Sequence, residues 1–245
     1  MEPSSPQGSN HFSVLSSYSA CDVSDALLKL QQQDSGEILH AGYLADIVPY
    51  APFPQHLGSF KGQPKVIGPA STLKLVARNS ITSPLPESGP NAIPKGQHWV
   101  DLTDEGTVMV IEQPEGQSCA AIGGIMALRM KTRGAKGCVV GGRVRDLEEL
   151  NNCGLPVWAR GKSTVGAGAQ SKVFGRNIDV TIGGVRISPG DIIFCDPLEG
   201  VVAIPRNLLD KVISMVPKLV AADEKIKGDL QRGGNAASAF RTHRG

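Results

Sequence analysis

No stretch of this chain approaches the roughly 18 to 20 consecutive apolar residues of a membrane-spanning helix, so no membrane association is expected. Neither charge sign is in excess. Twenty-five Lys and Arg against 23 Asp and Glu leave a formal net charge of +2, without the basic stripe of a nucleic-acid binder. No Cys-x-x-Cys pair occurs among Cys21, Cys119, Cys138, Cys153 and Cys195, and His11, His40, His56, His98 and His243 do not cluster with them in sequence. That argues against a zinc site or a cysteine–histidine nucleophile. It favours buried free thiols in a reducing compartment, hence a cytoplasmic protein. Gly-x-Gly-x-x-Gly is absent, which leaves no dinucleotide fingerprint. No solenoid-period repeat is visible. The polar segment Met1 to Ser13 lacks the basic-then-apolar order of a signal peptide and reads as a flexible tail.

What is present is a 245-residue chain with 40% hydrophobic residues, 29 glycines and 17 prolines, long enough for one substantial core. The pattern predicts an α/β fold: a compact single domain over residues 16–230, with a central parallel βα part and an antiparallel β part. Tails at 1–15 and 231–245 flank it, the second basic through Arg232, Arg241, His243 and Arg244. A first helix within Ser16 to Leu30 is expected to be capped by Asp22 or Ser24. Ile47 to Pro64 reads as irregular, Lys65 to Ala70 leads into an alternating strand at Thr72 to Val76, and Ser80 to Gln97, with four prolines, reads as a long loop.

The centre alternates. Thr107 to Ile111 is a strand. Ile122 to Arg133 has helical spacing, with Ile125, Leu128 and Met130 expected inward and Gly134 as the stop. Lys136 to Val140, Asp146 to Asn151 and Pro156 to Ala159 read as strand, helix and strand, which implies parallel pairing with crossovers. Later, Ile178 to Ile187 around Gly183-Gly184 is a hairpin. Strands Ile192 to Cys195 and Gly200 to Ile204 follow, then a helix from about Asn207 to Leu230 that Pro217 should kink or divide.

Two turns carry the functional signal. Gly123-Gly124 precedes a helix, where the first amides lack internal partners and the dipole adds positive character. Without side chains there, an anion can approach the backbone; a tight turn with close packing is the alternative. Arg145-Asp146 ends a buried strand, where α/β sites lie. Asp146 either caps the next helix or serves as a hard oxygen ligand for Mg²⁺. Arg145 either pairs with Asp146 or Glu148, or receives an oxo-acid carboxylate or enolate oxygen.

Gly123-Gly124-Ile125-Met126 followed by Gly142-Arg143-Val144-Arg145-Asp146 resembles the signature of the RraA-like family, which includes 4-hydroxy-4-methyl-2-oxoglutarate aldolases that also decarboxylate oxaloacetate. Cys21 to Leu27, Val66 to Ala70, Leu155 to Gly161, Pro189-Gly190-Asp191 with Asp196, and Gly200 to Pro205 agree in order and spacing. The resemblance implies an α/β/β fold of the swivelling-domain type, assembled as a homotrimer or hexamer with sites at subunit interfaces. It implies a small 2-oxo acid substrate bound by the backbone of Gly123, Gly124, Ile125 and Met126. Arg145 would be the catalytic group that neutralises the enolate, and Asp146 the ligand of Mg²⁺ or Mn²⁺. An acidic residue from a neighbouring subunit would assist; Glu224 on the C-terminal helix is the candidate, with a solvated helix face as the favoured alternative.

The aldolase pattern places an aspartate twenty-one residues before the motif arginine, where this chain has Gly124. Retro-aldol cleavage needs a base, whereas decarboxylation needs only an electron sink. The sequence therefore ranks oxaloacetate decarboxylation above aldol cleavage. Two other readings remain at this point: the same fold acting on a bulkier biosynthetic substrate, and a non-catalytic protein-binding regulator.

Overall fold

The computed structural model describes residues 6–31, 39–52, 63–81, 89 and 91–244. Residues 82–88 of the expected Ser80–Gln97 loop lie outside them, as do residues 53–62 and the first five residues. Helices α1 (Pro6–Ser16) and α2 (Ala20–Gln31) lead to strands β1 (Val48–Ala51) and the long β2 (Val66–Ala77). The central unit is β3 (Val108–Glu112), β4 (Ala120–Ile122), α3 (Gly124–Thr132), β5 (Gly137–Val144), α4 (Leu147–Cys153) and β6 (Val157–Lys162). Then follow β7 (Ser171–Arg176), β8 (Val180–Ile182), β9 (Val185–Ile187), β10 (Ile192–Asp196), β11 (Gly200–Ile204), α5 (Leu209–Gln231) and α6 (Ala236–His243).

One sheet runs β1-β6-β5-β3-β2-β10-β11, with β4 added to β5 and β7 to β2. β2, β3, β5 and β6 are parallel neighbours. β2 to β10, β10 to β11 and β6 to β1 are antiparallel. The expected parallel and antiparallel parts therefore share one sheet through β2. The Gly183-Gly184 turn, both residues at positive φ, closes the separate hairpin β8–β9.

Strand alternation sorts the core into three clusters. Met109 and Ile111 of β3 and Cys138 and Val140 of β5 face Ala127 and Met130 of α3 and Leu150 of α4. Val108, Val110 and Val139 point the other way, onto Trp158 and the β8–β9 hairpin. On β10, Phe194 and Ile192 meet Leu15, Leu27, Val212 and Val216 from α1, α2 and α5. Each large side chain buried this way contributes about 1.5 to 3 kcal/mol.

The helix ends follow from local chemistry. Ser19, rather than Asp22 or Ser24, caps α2: Asp22 donates its N–H to Ser19 Oγ at 3.2 Å, and Ser19 N–H donates to Asp22 Oδ2 at 2.8 Å. This is a reciprocal capping box with aspartate in the third position. Gly134 at φ 86° ends α3, with Ala135 N–H donating to Met130 O and Gly134 N–H to Lys131 O, both at 3.0 Å.

Several expectations need correcting. Both segments read as tails contain helices, α1 and α6. In α1, Leu15 is fully buried. α6 is tied down by Arg244, which pairs with Asp223 and Asp25. Pro217 does not divide α5, because the buried stripe Val212, Val216, Leu219 and Ile226 continues across it. Ile125 and Leu128 are 71% and 53% exposed. With the helix starting at Gly124, its inward face passes through Ala127 and Met130. Ile122 belongs to β4.

Candidate active site

β5 changes neighbour along its length. Gly137 to Val140 pair with β3, and Arg143 and Val144 pair with β4. β4 and β5 are parallel, so the turns leaving them emerge side by side. Arg145 N–H donates to Ile122 O at 3.1 Å, which fixes the second turn against the first.

Gly123 is the N-cap of α3, with extended backbone and no side-chain cap. The helix's first internal bond runs from Ala127 N–H to Gly123 O at 3.1 Å. The amides of Gly124, Ile125 and Met126 precede it and lack a carbonyl one turn back. These glycines are required for space. A Cβ at Gly123 would strike Asp146 Oδ2 and sit 3.1 Å from Arg145 Cγ; one at Gly124 would strike the Glu149 side chain. Met126 is half-buried against the core, while Ile125 faces outward, so only its amide serves the turn.

Asp146 adopts φ 58° and ψ 50°, a left-handed conformation that costs a non-glycine residue about 1 to 2 kcal/mol. It makes no side-chain cap to α4. Its carboxylate turns back instead: Gly124 N–H donates to Asp146 Oδ2 at 3.4 Å, and Arg145 Nε stands 3.3 Å from the same oxygen. Both side chains are about a third to two-fifths exposed, so this ion pair adds little stability. Strain at a solvent-reaching charged turn is characteristic of functional positions. Ser163 N–H donates to Val144 O at 2.9 Å, and Gly166, by lacking a side chain, leaves room for the Arg145 guanidinium.

Glu149 completes the arrangement and was missed from the sequence. It lies three residues after Asp146, so the first turn of α4 brings both carboxylates to adjacent glycines of the facing turn. That spacing, together with a glycine at 124, was the available signal. A groove of about 320 Å³ runs from Gly124 and Glu149 past Ile125, Leu128, Asn152 and Cys153. Glu224 lies elsewhere, exposed on α5 and bridged to Lys227 at 2.8 Å.

Arg145, Asp146 and Glu149 sum to one formal negative charge. Among the described residues no cluster of three or more His, Cys, Asp or Glu forms a closed metal cage. Two hard carboxylates suit Mg²⁺ or Mn²⁺, since Mg²⁺ keeps several waters and uses one or two protein carboxylates.

A helix start facing a charged strand end across neighbouring parallel strands makes this an α/β protein with its candidate site at the strand ends. The chain belongs to the RraA-like family: the model described as Aldolase/RraA matches residues 20–203. A protein of Halalkalibacterium halodurans named "Putative 4-hydroxy-4-methyl-2-oxoglutarate aldolase" is 31% identical over 161 residues, covering 65% of this chain and 69% of that one. Protein DlpA of Legionella pneumophila is 28% identical over 177 residues; the match covers 71% of this chain but only 27% of that longer protein. In fold, the chain is similar to Streptomyces coelicolor RraAS2, described as an unusual member of the RNase ES inhibitor RraA protein family. The TM-score is 0.64, with 22% identity and 95% and 98% of the two chains covered. Among the described residues no helix is long and apolar enough to cross a membrane.

Proposed function

We propose that this chain is a divalent-metal-dependent carbon–carbon lyase acting on a short 2-oxo dicarboxylate, by decarboxylation of oxaloacetate, by aldol cleavage of 4-hydroxy-4-methyl-2-oxoglutarate, or by both. The observation that carries this reading is the convergence on Asp146 Oδ2 of the Gly124 amide at 3.4 Å and Arg145 Nε at 3.3 Å. The aldolase names of relatives at about 30% identity support it.

Asp146 is the residue that would hold Mg²⁺ or Mn²⁺, with the Glu149 carboxylate beside it. A bound dication would supply Lewis acidity toward the 2-oxo group. The amides of Gly124, Ile125 and Met126 bind the substrate carboxylate at the positive end of α3. When the carbon–carbon bond breaks, its electron pair moves toward the 2-oxo carbon and negative charge grows on the oxygen. Arg145 is placed to neutralise that charge. Glu149 is the carboxylate placed to take or return a proton. The ranking of decarboxylation over aldol cleavage assumed that no carboxylate stands at position 124. Glu149 brings one there from α4, so that ranking loses its premise.

The exposed Ile125 and Leu128 beside the site support assembly into a trimer or hexamer, in which a second copy covers them. Light scattering on the purified chain reads this directly; a monomer contradicts it. For the chemistry, the test is pyruvate release from oxaloacetate with Mg²⁺ or Mn²⁺. Asp146→Asn, which keeps the left-handed backbone and removes the charge, is expected to lose more than 100-fold. Wild-type protein that releases no pyruvate from either oxaloacetate or 4-hydroxy-4-methyl-2-oxoglutarate, above the rate with either ion alone, overturns the reading.

A further inference from the structure

Gln113 sits where β5 exchanges one neighbour for another, 4% exposed and between β3 and β4 in the chain. Its side chain is satisfied at both ends. Arg143 N–H donates to Gln113 Oε1 at 2.9 Å, and Gln113 Nε2 donates to Cys119 O at 2.8 Å. Arg143 lies in the last part of β5, and Cys119 immediately precedes β4. The amide therefore accepts from one strand and donates to the next, as a peptide group of a longer β3 would. It fits because residue 142 is glycine: a Cβ there would strike the Gln113 amide oxygen.

β4 has only three residues. Its first end is held toward β5 by this amide at Cys119, while Cys119 N–H donates to Gln170 Oε1 at 2.9 Å and Ala120 N–H to Val165 O at 2.8 Å on other segments; its last end is held by Arg145 N–H donating to Ile122 O. β4 carries the Gly123-Gly124 turn, and β5 carries Arg145 and Asp146. We infer that Gln113 is a positioning residue that sets the glycine amide cradle against the Arg145–Asp146 turn by clamping β4 to the end of β5. This deepens the lyase reading and rests on it for its catalytic consequence. A carboxamide of this length both accepts and donates here; an ionised carboxylate lacks the donor, and methionine has no donor and only a weak thioether acceptor. Displacing a bound reactant's anchor by about 1 Å costs on the order of 100-fold in rate.

The clamp makes a split prediction. Asp146 and Glu149 both follow from β5 and stay together if β4 shifts, whereas the Gly124 amide moves relative to Arg145. In Gln113→Met, Mn²⁺ affinity measured by electron paramagnetic resonance is expected to stay within about twofold of wild type. Affinity for oxalate, a planar enolate mimic, and kcat for pyruvate release are expected to fall about 10- to 100-fold together. Hydrogen exchange at the Arg143 amide is expected to accelerate at least 100-fold, because its buried acceptor is gone. Gln113→Glu keeps that acceptor and loses the Cys119 contact, so it should slow catalysis while leaving Arg143 protected. If Gln113→Met does not fold, Gly142→Ala, which pushes a methyl group into the amide, must give the same split. Unchanged Arg143 exchange overturns the clamp, and so does parallel loss of Mn²⁺ and oxalate affinity. If wild-type protein neither binds oxalate nor releases pyruvate, the lyase reading fails, while the exchange measurement still decides the clamp.

Discussion

The side chain of Glu149 lies across Gly124, so any side chain introduced at position 124 is driven into it. The two positions exclude each other: a carboxylate reaches this end of the site from α3 or from α4, but not from both. Gly124→Asp alone is therefore expected to lose activity about 100-fold and to destabilise by about 1 to 3 kcal/mol through overpacking. Glu149→Ala alone should lose a comparable factor without the overpacking. The double variant Gly124→Asp/Glu149→Ala should recover to within about tenfold of wild type. Initial rates and thermal midpoints of the four proteins test the exchange; additive losses in the double variant would refute it.

Arg145 reaches its place from a strand end, with Nε toward Asp146 and the rest of the guanidinium beside Gly166. A lysine keeps the charge but loses the planar fork. Arg145→Lys is expected to lower kcat about 10- to 100-fold with a small change in KM for oxaloacetate, the signature of an interaction made in the transition state. Arg145→Ala should lose more, about 1000-fold. Equal kcat for Arg145→Lys and wild type would remove the arginine from charge neutralisation.

The five cysteines differ in burial, which sets an order of reaction with a thiol reagent. Cys119, Cys138 and Cys195 are buried, Cys153 is half-buried and Cys21 is exposed. Burial pushes the Cys138 and Cys195 thiols far up, away from thiolate. The Cys21 thiol is also raised, first by partial burial and then by Glu199. Cys21 is expected to react first, more slowly at pH 8 than a free thiol because less of it is thiolate, and faster as pH rises. Cys153 follows, and the remaining three react only on unfolding. Mass spectrometry of the labelled native protein checks the order; early labelling of Cys138 would contradict it.

How much was legible depended on whether local pattern or tertiary contact decided each element. Short continuous apolar runs, such as Val108 to Ile111 and Ile192 to Cys195, match their strands because one strand face meets one cluster and the other face another. The Gly183-Gly184 hairpin was equally plain, since its turn demands positive φ. β7 is not legible because Ser171 to Arg176 has only two large apolar residues, Val173 and Phe174, adjacent rather than alternating, and it is held by pairing with β2 across a distant stretch of sequence. In α3 Met130 is inward as its spacing predicts, but Ile125 and Leu128 are not: they are the more hydrophobic residues by type, yet Ala127 fits against the sheet beside Met130. At the site, the two turns were visible as glycines and an Arg-Asp pair. The strain at Asp146 and the reach of Glu149 over Gly124 were not, because both come from how α4 leaves β5.

The last helix is held by charge at its end. Arg244 Nε donates to Asp223 Oδ1 at 2.6 Å and Arg244 Nη2 to Asp25 Oδ2 at 3.1 Å, joining α6 to α5 and α2. His243 Nε2 lies 2.8 Å from Asp229 Oδ2. The hydrogen bonds from His243 and then Arg232 hold the Asp229 carboxyl below its usual range. A carboxyl lowered on folding stabilises the fold above its unfolded value, about pH 4, and that contribution disappears as pH falls through the lowered folded value. Amide protection across residues 236–243 is therefore expected to hold from pH 7 to about pH 4 and to decline below it. Arg244→Ala removes two anchors that do not depend on His243, so α6 should exchange about fivefold faster already at pH 7, equivalent to about 1 kcal/mol. Protection that is unchanged in Arg244→Ala at neutral pH would show that Ala239, buried against α5, holds the helix by packing alone.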